Sequence, residues 1–165
     1  MSIFAVFASL IGIAVVVFVI VGPATIWRQI YGDPDLGPFE LATLERSARP
    51  HDGLLSTPGA CPPSLKADGE LPSFEDDPAS VLTRLAEHIK ALDGAPTPFS
   101  DNIANGSIRY VTWSPTMKFP DTTQFWAIPL ADGKTGLVAY AKAQVGHSDF
   151  GVNLHRLKTW TEGFS

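Results

Sequence analysis

Chemistry-bearing side chains gather near the C-terminus, where Gly146-His147-Ser148-Asp149-Phe150-Gly151-Val152-Asn153 runs into Leu154-His155-Arg156. A hydroxyl beside imidazoles and carboxylates is the raw material of nucleophilic catalysis. Ser148 would attack, His147 or His155 would take its proton, and Asp149 or Asp121 would orient the base. Two features count against that chemistry. No G-x-S-x-G elbow lifts Ser148 out of a strand-to-helix turn, and the adjacent His147 and Ser148 side chains need not face each other. A capped turn uses the same residues more simply: Asp149 accepts backbone N–H bonds, Gly151 takes a positive φ, and Asn153 starts a helix. A contact with a polar ligand or partner is the third reading. No catalytic residue is assigned.

Other clusters are sparse. His51-Asp52 is an adjacent pair without a wider ligand set, so a solvated turn is expected rather than a metal site, and no cofactor is expected. Cys61 is the only cysteine in the 165 residues, which rules out an intrachain disulfide and leaves the redox compartment unread. The formal charge of -5 offers no basic stripe for phosphates, which argues against nucleic acid and against a polybasic grip on anionic lipid. Neither G-x-G-x-x-G nor a P-loop occurs.

The elements that must position these residues begin with Met1–Trp27. From Ile3 to Val21 no side chain is charged and only Ser9 is polar, and about twenty such residues span a hydrocarbon core of about 30 Å. The reading is a transmembrane anchor over residues 1–31. It lacks the basic n-region and small-residue cleavage site of a signal peptide, so it is expected to stay uncleaved. Pro23 marks a stop or kink, and Trp27, Arg28 and Tyr31 suit the headgroup region. Ala8 and Gly12 form a small-xxx-small pair on which another helix could pack. Arg28 alone, by the positive-inside rule, favours a cytoplasmic body.

Residues 32–76 form an arm rich in Pro, Gly, Ser and Asp, expected to be ordered but irregular and to hold the body off the bilayer. Phe39–Leu44 could make one short strand or helical turn, and Leu54, Leu55 and Leu71 could dock on the body. The body, residues 77–165, opens on Asp77-Pro78 as N-cap and first helical residue. Val81, Leu82, Leu85, Ala86, Ile89 and Leu92 then make one apolar stripe, with His88 and Lys90 expected in solvent. Strands follow at Ser107–Ser114, Thr123–Leu130 and Thr135–Gln144, with a weaker one near Thr97–Asn102. A last helix is expected from about Asn153 to Glu162. The fold class is α+β: the N-terminal transmembrane helix, then a two-layer sandwich of an antiparallel sheet of three or four strands and two helices.

Gly146, Ser148, Asp149, Gly151, Val152, Asn153 and Arg156 fit the pattern G-x-S-D-x-G-V-N-x-x-R. Phe119-Pro120-Asp121 ahead of an apolar strand supplies an aromatic-x-Asp element. Both resemble domain-of-unknown-function family 1499, over roughly Ser73–Phe164, with a looser echo of its proteobacterial, membrane-anchored branch at Arg49–Cys61. The resemblance implies an export signal or anchor, as in family members whose plastid forms look like thylakoid proteins; it implies no activity, cofactor or catalytic residue. Many members carry paired cysteines where only Cys61 stands here.

The expected function is a non-enzymatic accessory or assembly module of an inner-membrane complex, respiratory or photosynthetic, with a single-pass anchor in the bilayer, a periplasmic body and a membrane-protein partner. The alternative is a carrier or chaperone for a hydrophobic ligand such as a lipid, quinone or pigment, drawing on Tyr110, Trp113, Phe125, Trp126, Tyr140 and Trp160. Whether the second face of the sheet is covered separates the two. A hydrolase comes third.

Overall fold

The computed structural model describes residues 2–92, 94–114 and 117–165. Helix α1 (Ile3–Val21) holds 19 residues with mean hydropathy 3.1 and buries none of them, so it is long and apolar enough to cross a membrane. Gly22 ends it at φ 83°, a left-handed conformation that a side chain would strain. Pro23 then opens α2 (Pro23–Tyr31), at a position where its missing amide donor is no loss. The chain turns sharply between the two helices, which brings the Phe18 ring to 6.2 Å from Trp27.

Among the described residues, seven strands build one sheet: β1 (Asp52–Ser56), β2 (Gly69–Glu70), β3 (Ser73–Phe74), β4 (Ser100–Asn102), β5 (Ser107–Trp113), β6 (Pro120–Pro129) and β7 (Thr135–Ala143). Their order is β2-β1-β7-β6-β5-β4, with β3 also paired to β7. The antiparallel centre β5-β6-β7 is the one that alternation and the turn before Lys134 predict. The count of three or four strands is corrected to seven, because the Pro-rich arm supplies β1, β2 and β3. β1 lies antiparallel to β7, with Leu55 opposite Ala139, and β2 joins β1 in parallel.

Two helices cover one face. At the start of α3 (Pro78–Ala91) the Asp77 carboxylate accepts the amides of Ala79 and Ser80 at 3.0 and 3.1 Å, and Val81, Leu82, Leu85 and Ile89 are buried. Full burial of each such side chain is worth about 1.5–3 kcal/mol. Helix α4 (Val152–Thr161) buries Leu157 and Trp160 and crosses β1 at Gly53, where a Cβ would stand 2.8 Å from the Leu154 backbone. The small residues Ala139 and Ala141 of β7 lie under the helices with Tyr110, Phe125 and Trp160. His88 is not simply solvated: its ring packs 5.5 Å from Phe164, and its Nε2 is buried.

The opposite face is covered by the arm. Gln144 Nε2 donates to the Asp33 carbonyl at 2.7 Å, and Arg109 binds the Asp35 carboxylate with both Nε and an Nη at 2.8–3.1 Å. The Leu36 amide donates to Thr122 at 3.0 Å, and Phe39 exchanges two hydrogen bonds with the Gln124 side chain at 2.9 and 3.2 Å. A 3-10 turn at Leu41–Thr43 follows, within the expected Phe39–Leu44 segment. The arm thus forms a third layer, and Leu54, Trp126, Val138 and Tyr140 are buried beneath it.

Candidate functional site

Strand alternation decides which side chains meet. On β1, odd positions face the helices and even positions face the arm, so His51 and Asp52 point to opposite sides of the sheet and cannot share a ligand. Asp52 joins the arm side, where Arg46 binds it at 3.0–3.1 Å, the Ser47 amide donates at 2.8 Å and the Tyr140 hydroxyl donates at 3.0 Å. Arg46 also holds Asp68 at 2.9 Å. Burial pushes the Asp52 carboxyl up, but Arg46, the Ser47 amide and Tyr140 together outweigh it and hold the group below the usual carboxylate range.

On the helix side a second polar cluster forms where β6 begins and β7 ends. Asp121 lies opposite Ala143, whose amide donates to the His51 carbonyl at 2.9 Å. Arg156, one turn into α4, donates to Asp121 at 2.8 Å and to the Asn153 side-chain oxygen at 2.5 Å. Asp121 and Arg156 are nearly buried, with side chains 6% and 12% exposed. Burial is the largest influence on the Asp121 carboxyl and raises it; Arg156 and His51 pull it down, Asp149 pushes it up, and the net direction is upward.

The β7–α4 loop closes this cluster. The Asp149 carboxylate accepts the Gly151 and Asn153 amides, each at 2.9 Å, and its own amide donates to the Pro50 carbonyl at 3.1 Å. The Ser148 hydroxyl accepts the Phe150 amide at 3.1 Å. Gly151 stands at the N-cap position in the left-handed region, φ 80°. Asn153 is therefore not the cap expected of it. It is fully buried in the first turn, where its side chain bridges Arg156 and the His51 carbonyl. Phe150 has φ 55° and is 94% exposed; a side chain in that region costs about 1–2 kcal/mol.

The structure thus brings Asp121, Asp149, Asn153 and Arg156 together, with Gly151 and Ser148 shaping the loop beside them. The solvated turn expected at His51-Asp52 is corrected: His51 is only 7% exposed, on the same side as this cluster, with an Nδ1 that has no hydrogen-bond partner among the described residues. The signal that could have found it is the alternation of Gly53 and Leu55, which continues back to position 51. Chemically, the arrangement holds a helix: a paired arginine and carboxylate, a capping carboxylate, and a hydroxyl that accepts one amide within its turn.

The residues expected at a membrane interface separate. Trp27 turns onto the body: its Nε1 donates to the Met117 carbonyl at 2.5 Å, and its ring lies 4.9 Å from Phe119 and 6.0 Å from Tyr31. Arg28 and Tyr31 are exposed. Of the six aromatics singled out for ligand binding, Tyr110, Phe125 and Trp160 fill the helix-side core, and Trp126 and Tyr140 lie under the arm; Trp113 is exposed. An apolar groove of about 250 Å³ runs between α3 and the Ala95–Pro98 segment.

Among known protein families, the model described as a protein of unknown function (DUF1499) matches residues 55–164. No curated protein and no solved structure matches the chain.

Proposed function

The chain belongs to that family of unknown function, and on this premise we propose that it is a membrane-tethered accessory or assembly subunit of an inner-membrane protein complex. In this reading α1 crosses the bilayer, the body lies on the periplasmic side, and the partner is a larger membrane protein of the energy-transducing kind.

The docking of Trp27 carries the reading. A free tether has no need to fix the angle between anchor and body. Here Trp27 is seated on Phe119 and bonded to Met117, and the chain that follows is pinned to the sheet through Asp33, Asp35, Leu36 and Phe39. Such a chain presents one chosen surface to neighbours in the membrane plane, as lateral assembly requires. The arm over the second sheet face counts against the carrier alternative, because it occupies the surface a lipid, quinone or pigment would use. Two grooves favour that alternative: one beside α3 of about 250 Å³, below the roughly 300–1,000 Å³ of typical ligand pockets, and an open one of about 510 Å³ lined by Phe99 and Trp113. Against hydrolysis, the Ser148 hydroxyl has no hydrogen bond to His147 or His155 among the described residues; it accepts the Phe150 amide.

Extraction in mild detergent followed by native mass spectrometry tests the proposal. A stoichiometric complex with another membrane protein, containing the intact N-terminal peptide, is expected. A lone chain carrying a lipid, quinone or pigment would replace this reading with the carrier, and a mature chain starting near Ala24 would remove the tether.

A further inference from the structure

The exposed large apolar side chains of the body are segregated. Among the described residues from Asp52 onward they are Phe99, Trp113, Met117, Phe150 and Val152. Topology sets Trp113, Met117, Phe150 and Val152 at one end of the sheet, while Phe99 lies beside the middle of β5, next to Arg109. Trp113 closes β5 opposite Pro120, and Phe99 lines a groove with it. Met117 belongs to the β5–β6 connection. Phe150 and Val152 belong to the loop and first turn after β7, where the Asp149 amide is tied to Pro50 just ahead of β1. The opposite end, with the Leu130–Lys134 hairpin turn and the start of β5, contributes none of them. Single exposed apolar residues need no explanation, but their collection at one end does.

That end is also where the N-terminal helices join the body. Trp27 touches Phe119 and the Met117 carbonyl, and Gln144, one residue past β7, holds the Asp33 carbonyl just after α2. With nine residues, α2 is about 14 Å long, so this end lies within one short helix of the point where α1 would leave the hydrocarbon.

We infer that this end of the body is a second membrane contact, with Met117, Phe150 and Trp113 seated in the headgroup layer of the bilayer that α1 crosses. The inference rests on the tethered reading above and adds a lipid-binding surface to it. Tryptophan is a residue that interfaces select, and Phe150 is held outward by a turn in which the Ser148 and Asp149 side chains accept the amides of Phe150, Gly151 and Asn153. Continuity with the anchor names the occupant as lipid. The formal charge of -5 gives the chain no net attraction to anionic lipid, so the contact is expected on zwitterionic lipid, through apolar insertion.

The test uses the full chain in vesicles of a zwitterionic phosphatidylcholine, with no other protein present. Spin labels are placed singly by Met117→Cys, Phe150→Cys, Ala131→Cys and Val16→Cys in a Cys61→Ala background. Labels at 117 and 150 are expected to collide severalfold more with dissolved oxygen, relative to an aqueous nickel chelate, than the label at 131. If either proves as aqueous as 131 while 16 lies in lipid, the inference is overturned and the surface passes to a protein partner. A label at 16 that reports water instead overturns the tether itself, and this contact with it.

Discussion

Arg156 reaches from the second turn of α4 to Asp121 at the start of β6, 2.8 Å away, with both side chains nearly buried. The pair fixes α4 to the sheet at one point, and Gly53 fixes it at another by letting the Leu154 backbone come close to β1. Between them they set the helix that carries the C-terminal pattern. Taking one partner from a buried pair leaves the other charge without compensation, which costs about 3–5 kcal/mol.

Arg156→Met, which leaves Asp121 unpaired, is therefore expected to lower unfolding stability by about that amount. The double variant Arg156→Met/Asp121→Leu should recover much of the loss, since no charge is then stranded. Denaturant titration of the four-member cycle in detergent checks this. Equal losses in the single and double variants would contradict the clamp.

Asp149→Ala removes the acceptor of both the Gly151 and Asn153 amides and should cost about 1–2 kcal/mol. Should the variant melt as the parent does and yet abolish assembly, the loop's role would lie in contact rather than in capping.

Much of the body was legible because its signals are local. Asp77-Pro78 and a stripe at three- and four-residue steps define α3, and alternation with a tight turn defines β6 and β7. β1 was not legible for the opposite reason. Gly53-Leu54-Leu55-Ser56 is a short run between turn residues, and its partner β7 lies more than eighty residues on; only the sheet shows that Gly53 is the gap that admits α4. The strands β2 and β3 hold two residues each, too few for any periodicity. At the site, Asp149 was legible as a capping acceptor, but Asn153 was misplaced by two positions, because Gly151 can adopt the left-handed cap conformation. His51 was hidden by its neighbour: Asp52 invites a pairing that strand alternation forbids.

The two buried carboxylates should leave opposite marks on acid stability. Asp121 titrates above the ordinary value of 3.8 in the folded chain, so on acidification the folded state takes up this proton first. Its contribution then moves in favour of folding as pH falls from the raised value to 3.8. Asp52 titrates below 3.8, so its stabilisation is complete above that value and is lost as pH falls through the depressed one. Urea midpoints measured against pH should show the first effect vanish in Asp121→Asn and the second in Asp52→Asn. The same variant removing both effects would contradict the assignment.

On the proposed topology, alkaline phosphatase fused after Ser165 is active, because that enzyme matures only where disulfides form. The expectation runs against Arg28, a single positive charge on the body side, and follows the export habit that the family resemblance implies. An inactive phosphatase fusion with an active cytosolic reporter at the same junction would put the body inside.

With Trp27 seated on Phe119, anchor and body are expected to move as one fixed unit. This is tested by the distance between spin labels introduced by Val16→Cys on α1 and Ala131→Cys on the far hairpin turn, in a Cys61→Ala chain reconstituted into lipid nanodiscs. A single narrow distance distribution, broadened by Trp27→Ala, is predicted. A distribution as broad in the parent as in Trp27→Ala would mean that the body swings freely on its tether and that Trp27 fixes nothing.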